Sequence, residues 1–116
     1  MTAEIKRYGE AKRWADMVVY RGTAQWVEVA EDAALDARGQ IAQALSQIDA
    51  TLATLQSDRT RLLQVLIYLA DLADAPTLNE LWDAWVPAGH APVRACVQAG
   101  LWGTLRVEMV VTAAVE

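Results

Sequence analysis

Five aliphatic residues, Ile41, Leu45, Ile48, Leu52 and Leu55, recur at a 4-3-4-3 spacing near the middle of the chain. That spacing puts them on one stripe of an α-helix, and such a stripe needs an apolar layer to lie against. The pattern predicts a helix of about six turns starting near Asp32. Either Asp32 or Asp36 can accept the free N–H groups of its first turn. Gln40, Gln43, Gln47 and Asp49 fall opposite the stripe and read as a solvated face.

The layer beneath the helix comes from both flanks. Met17–Tyr20 and Ala24–Val29 bracket the turn Arg21-Gly22-Thr23 and read as a hairpin, with Ile5–Tyr8 as a further edge strand. Leu62–Leu72 is almost wholly apolar and fits a buried strand or a buried helix; Val65, Ile67 and Tyr68 favour the strand. Leu78, Leu81, Trp82 and Trp85 follow i, i+3, i+4, i+7 and form a second, shorter helix that Pro76 can open and Pro87 and Gly89 close. Val93–Ala99 and Arg106–Val115 read as two strands joined through Gly100 and Gly103, with Val107, Met109 and Val111 on one face. The order predicts an α+β fold: one mixed sheet with two helices on one face, a single domain spanning 1–116. The other face is rich in valine. With 54% apolar residues in 116, it predicts burial against further copies of the chain.

Charge and rare residues exclude several functions. Lys plus Arg is 10 against 15 Asp plus Glu, a net charge of −5, which disfavours binding to a phosphate backbone. Lys6, Arg7, Lys12 and Arg13 form a cluster interrupted by Glu10 and read as a solvated edge. Cys96 is the one cysteine, so no internal disulfide forms, in keeping with a reducing cytoplasm. One Cys and one His, His90, rule out a zinc-finger-type metal site, and no nucleophile elbow surrounds His90. No apolar run approaches the roughly 20 residues of a membrane span. The segment Met1–Arg13 is polar, unlike a secretory signal.

The run from Ala84 to Leu101 reads AWVPAGHAPVRACVQAGL and is followed by Arg106-Val107-Glu108-Met109. Together with Ile67-Tyr68-Leu69-Ala70-Asp71 and the helix carrying Asn79 and Trp82, it resembles the RidA family, also called YjgF, the reactive-intermediate deaminases. The Gly-His-Ala-Pro-Val-Arg run is most similar to the YoaB-like branch. The resemblance implies a chorismate-mutase-like fold, a homotrimer around a central β-barrel, and ligand clefts between subunits. It implies hydrolysis of 2-imino acids and their enamines, such as 2-aminoacrylate, to 2-oxo acids and ammonia, with no cofactor.

Carried across residue by residue, the resemblance makes Arg94 the carboxylate anchor, which suits the planar fork of donors in a guanidinium. Unaided, the sequence allows equally an arginine paired with a neighbouring acid. Glu108 matches the glutamate that orders the attacking water; alternation with Val107 and Met109 also allows a solvent-facing position. Cys96 matches a cysteine whose backbone holds ligand and water, and otherwise reads as a small buried hydrophobe. Tyr8 matches the N-terminal tyrosine that closes the cleft, although Lys6-Arg7 stands where the family has Gly-Pro; otherwise it packs on the sheet edge.

Two departures bear on activity. Val27-Glu28-Val29 stands where the family has a glycine-containing segment that lets backbone approach the ligand. Glu28 there faces the substrate carboxylate, or points away if Val27 and Val29 take the inner face. The turn before Arg106 is one residue shorter than the family pattern and carries Trp102, which can narrow the cleft. These readings leave a second function open: a trimeric binder of small carboxylates without deaminase activity. RNA cleavage, an old label in the family, is disfavoured by the acidic charge.

Overall fold

The computed structural model describes residues 3–116; Met1 and Thr2, the first residues of the polar start, lie outside the described residues. Six strands form one mixed sheet: β1 (Lys6–Tyr8), β2 (Met17–Tyr20), β3 (Thr23–Glu28), β4 (Leu62–Leu69), β5 (Val93–Gln98) and β6 (Val107–Ala114). Their order across the sheet is β1-β2-β3-β6-β4-β5, with β4 and β5 parallel and every other pair antiparallel. Two helices, α1 (Ala37–Thr54) and α2 (Ala75–Trp85), cover one face. This is the α+β arrangement expected from the sequence, and it settles Leu62–Leu69 as a strand.

Local chemistry explains the elements. Arg21 and Gly22 both take positive φ, 48° and 75°, and connect Tyr20 to Thr23 in the two-residue hairpin turn whose twist matches the strands. Asp36, not Asp32, caps α1: its carboxylate accepts the Gly39 N–H at 2.8 Å, while Asp32 accepts the Ala34 N–H in the preceding loop. The helix is therefore shorter at its start than the pattern predicts. Its stripe of Ile41, Leu45, Ile48 and Leu52 is buried against Val65, Ile67, Leu69, Val107, Met109 and Val111 of the central strands. In α2, Leu78, Trp82 and Trp85 are buried, and Pro76 lies in the first turn, where no backbone N–H is needed.

The glutamine face of α1 is not solvated. Gln40 is fully buried; its amide donates to the carbonyls of Ala33, Leu35 and Thr104, and its oxygen accepts the Arg106 N–H at 2.8 Å. Gln43 accepts the Asp32 N–H, and Gln47 accepts the Glu31 N–H while donating to Val29 O. The three glutamines thus satisfy backbone groups of two connections that have no ladder to join. Gln40→Leu keeps the volume but strands those groups, and is expected to lower unfolding free energy by about 2–4 kcal/mol. A urea titration with unchanged m-value and a shifted midpoint checks this.

Candidate functional site

The register decides which side chains share a face, because neighbours along a strand point oppositely. Arg94 lies opposite Val65 and Cys96 opposite Ile67; both core partners are buried under the helices, so Arg94 and Cys96 face the helical layer. Glu108 lies opposite Tyr68 and alternates with the buried Val107 and Met109, so it faces the uncovered side. Arg94 and Glu108 are therefore turned to opposite faces of one chain. Tyr8 is exposed on β1, at the far edge of the sheet from β5. Five strand spacings of about 4.8 Å separate those edges. Only Arg94 and Cys96 are brought together within a single chain.

Glu28 does not face Arg94 or solvent. It lies opposite Met109 on the helix side, where its carboxylate accepts from Trp26 Nε1 at 2.9 Å and from Gln47 Nε2 at 2.8 Å. The row Glu28–Met109–Ile67–Cys96 crosses four strands, which keeps Glu28 on the order of 14 Å from the Cys96 position. The reason is β3 alternation: Ala24 and Trp26 must face the core, and Glu28 follows them while Val27 takes the open face. Within one chain, then, Glu28 does not oppose an anion held at Arg94. Trp102 is 89% exposed at the tip of the β5–β6 connection.

Three arginines form ion pairs among the described residues, while others have none, Arg21 included, whose Cζ lies 5.3 Å from the Tyr20 ring centre. Arg38 pairs with Glu80, Arg59 with Asp49 and Arg106 with Asp74, at 3.0, 2.7 and 2.6 Å. Arg94 has no carboxylate within ion-pair distance among the described residues. Its Nη2 donates to Asn79 Oδ1 at 2.9 Å, and its Cζ sits 5.3 Å from the centre of the Trp82 ring. Both partners are neutral, so the positive charge stays uncompensated at a half-buried position on an edge strand. Asn79 and Trp82 are the contacts that sequence reasoning left without a role. Their i, i+3 spacing on α2 was a signal that both share a face, but nothing local tied that face to β5.

Burial pushes the Cys96 thiol up from its ordinary value, with the nearby Arg94 charge partly opposing. The thiol stays protonated at neutral pH and is a poor nucleophile. Beside it, the outer edge of β5 leaves alternate backbone groups without strand partners in the single chain. Among the described residues, no group of three His, Cys, Asp or Glu side chains is placed to hold a metal ion. No described helix is long and apolar enough to cross a membrane.

A mixed sheet in this order under two helices, with an uncompensated arginine at its edge, defines a class that the comparisons with known proteins identify. The family model described as Endoribonuclease L-PSP matches residues 1–115. The chain belongs to this family, the RidA/YjgF family, and within it is YoaB-like. It is 44% identical over 112 residues to the RutC family protein YoaB of Escherichia coli K12, covering 96% of this chain and 98% of that one. A crystal structure of an uncharacterized protein from Pseudomonas aeruginosa superposes with a TM-score of 0.90 at 42% identity, covering 97% of this chain and all of the other. A YjgF family member from Neisseria meningitidis gives 0.87 at 37% identity, covering 97% of this chain and 96% of the other.

Glu28→Gly tests whether this placement also keeps Glu28 away from a bound ligand. It removes an acceptor that two side-chain donors share and introduces a flexible residue into a strand, so unfolding free energy should fall by about 2–4 kcal/mol. Affinity for pyruvate, followed by NMR titration at a temperature where the variant is folded, should stay within twofold of the native protein. A large gain in affinity would return Glu28 to the ligand.

Proposed function

We propose that this protein hydrolyses 2-imino acids and their enamine tautomers to 2-oxo acids and ammonia, without a cofactor, as a cytoplasmic homotrimer with clefts between subunits. The observation that carries this reading is Arg94, a guanidinium held in place by an amide oxygen and an indole face and paired with no acid. A half-exposed cation with neutral partners keeps donors free to meet an anion. The planar fork fits a carboxylate, the group that 2-imino and 2-oxo acids share.

In the proposed reaction Arg94 anchors the carboxylate and Glu108 orders water and takes its proton. The water oxygen bonds to the imine carbon and a proton passes to nitrogen. The hydroxyl's remaining proton then passes to nitrogen as the carbon–nitrogen bond breaks, releasing ammonia and leaving the 2-oxo acid. Backbone groups beside Cys96 contribute hydrogen bonds. Because one chain turns Arg94 and Glu108 to opposite faces, the proposed cleft draws on two chains at the β5 edge, with Tyr8 closing it. The uncovered face supports assembly: Val27, Val93 and Val97 are exposed there beside Leu66 and Val110.

The carboxylate-binding reading without catalysis rests on charge repulsion from Glu28, and the bonds that hold Glu28 to Trp26 and Gln47 within its own chain weigh against it. The deciding experiment measures pyruvate and ammonia release from 2-aminoacrylate generated enzymatically in place. Native protein should accelerate release, and Arg94→Ala should reduce the rate constant at low substrate by roughly 100-fold, the loss of a two-bond charged contact. Native protein that binds pyruvate but does not accelerate release would favour the binder. Light scattering at micromolar concentration should give three chain masses; a clean monomer would exclude the intersubunit cleft.

A further inference from the structure

We infer that Trp82 is the positioning residue for Arg94: its indole face, itself held by burial and a tilted contact with Trp85 along α2, sets the plane of the guanidinium. The inference rests on the reading of Arg94 as an anion anchor for its second readout, but not for its first.

The geometry forms a continuous column. Arg94 Cζ lies 5.3 Å from the Trp82 ring centre. Trp82 is 5% exposed, and its ring centroid is 5.4 Å from that of Trp85 at a tilt of 48°. Arg59 Cζ lies 5.2 Å from the Trp85 ring on the outer side. Arg59 in turn is gripped by both oxygens of Asp49 at 2.7 Å and donates to Trp85 O at 2.9 Å, while Trp85 Nε1 donates to the same carboxylate at 3.1 and 3.2 Å. The column thus starts at a closed charge pair on α1 and ends at an open charge on β5.

Support through a π face suits an anion anchor for a specific reason. An acidic partner would fix the guanidinium equally well but would occupy its donors and neutralise the charge an anion must meet. A ring face attracts the cation through its quadrupole and uses none of the in-plane N–H groups. Asn79 takes one Nη2 proton and sets the rotation within the plane. The remaining donors point from the rim of the plane, where a planar carboxylate can approach bidentately. Trp82 was read from its spacing as core, and it is core; the same burial makes it a rigid platform.

The test uses the full chain. The first readout is NMR of the Arg94 side chain, assigned from its loss in Arg94→Lys. In native protein the Arg94 Hε signal should be displaced upfield by the indole ring current and rotation about Nε–Cζ should be slowed. A signal at the ordinary arginine position with free rotation in native protein overturns the inference with no variant needed. The second readout is pyruvate affinity. Trp82→Leu should weaken binding roughly 3- to 30-fold, the range of a partly desolvated cation–π contact, and Trp82→Phe should recover most of it. Equal loss in both variants, with folding intact by thermal denaturation, overturns the platform role. A displaced Arg94 signal in a protein that shows no pyruvate binding supports the platform and sinks the anchor reading of Arg94 instead.

Discussion

Two helices cover one face of the sheet and none covers the other, and strand alternation then assigns every polar side chain to one of two environments. On the covered side a charge must find a partner inside the fold. Glu28 finds Trp26 and Gln47, and Asp49 finds Arg59 and Trp85. On the open side Glu108 sits among residues that are apolar yet half exposed, a setting that makes sense once another chain lies against it. Arg94, on the covered side, has only neutral partners.

Arg94 is distinguished by its place, a half-buried edge-strand position under α2, and not by lack of an acid alone. Three arginines bind carboxylates directly, two of them by both oxygens. Surface pairs of this kind add little stability in water, but each neutralises its own arginine. Arg94 instead rests on neutral groups at the end of a parallel strand, on a sheet edge whose outer backbone groups are also free. Positive charge, unpaired N–H groups and an aromatic support converge on one edge of the chain.

Much of the fold was legible in the sequence because it is written in local periods. The stripe on α1, the second stripe on α2 and the Arg21-Gly22 turn each declare themselves within a few residues. Leu62–Leu69 was ambiguous because a segment buried on one face and half-buried on the other carries little periodicity. The glutamine face of α1 misled because whether a polar residue is solvated depends on which loop crosses it: the loop from Val29 to Leu35 folds back along the helix that follows it, and the segment around Thr104 comes from distant sequence. The direction of Glu28 depends on β3 register, which Trp26 fixes by needing the core. The partners of Arg94 were illegible for the same reason: Asn79 and Trp82 lie 15 and 12 positions earlier and meet it only after α2 crosses back over β5.

The separation of the candidate residues is itself an argument about assembly. Tyr8 and Arg94 occupy opposite edges of one sheet, and Glu108 looks out from the face that no helix covers. No side-chain rotation within a single chain joins groups separated by four intervening strands. A closed ring of copies brings the edge of one sheet to its neighbour, and the uncovered apolar face then turns inward. Under that arrangement the anchor can be held rigidly by its own chain, through Trp82 and Asn79, while groups of different origin approach the ligand from the other side. If copies assemble in that way, the neutral groups under Arg94 hold its guanidinium without filling the position an anion would take.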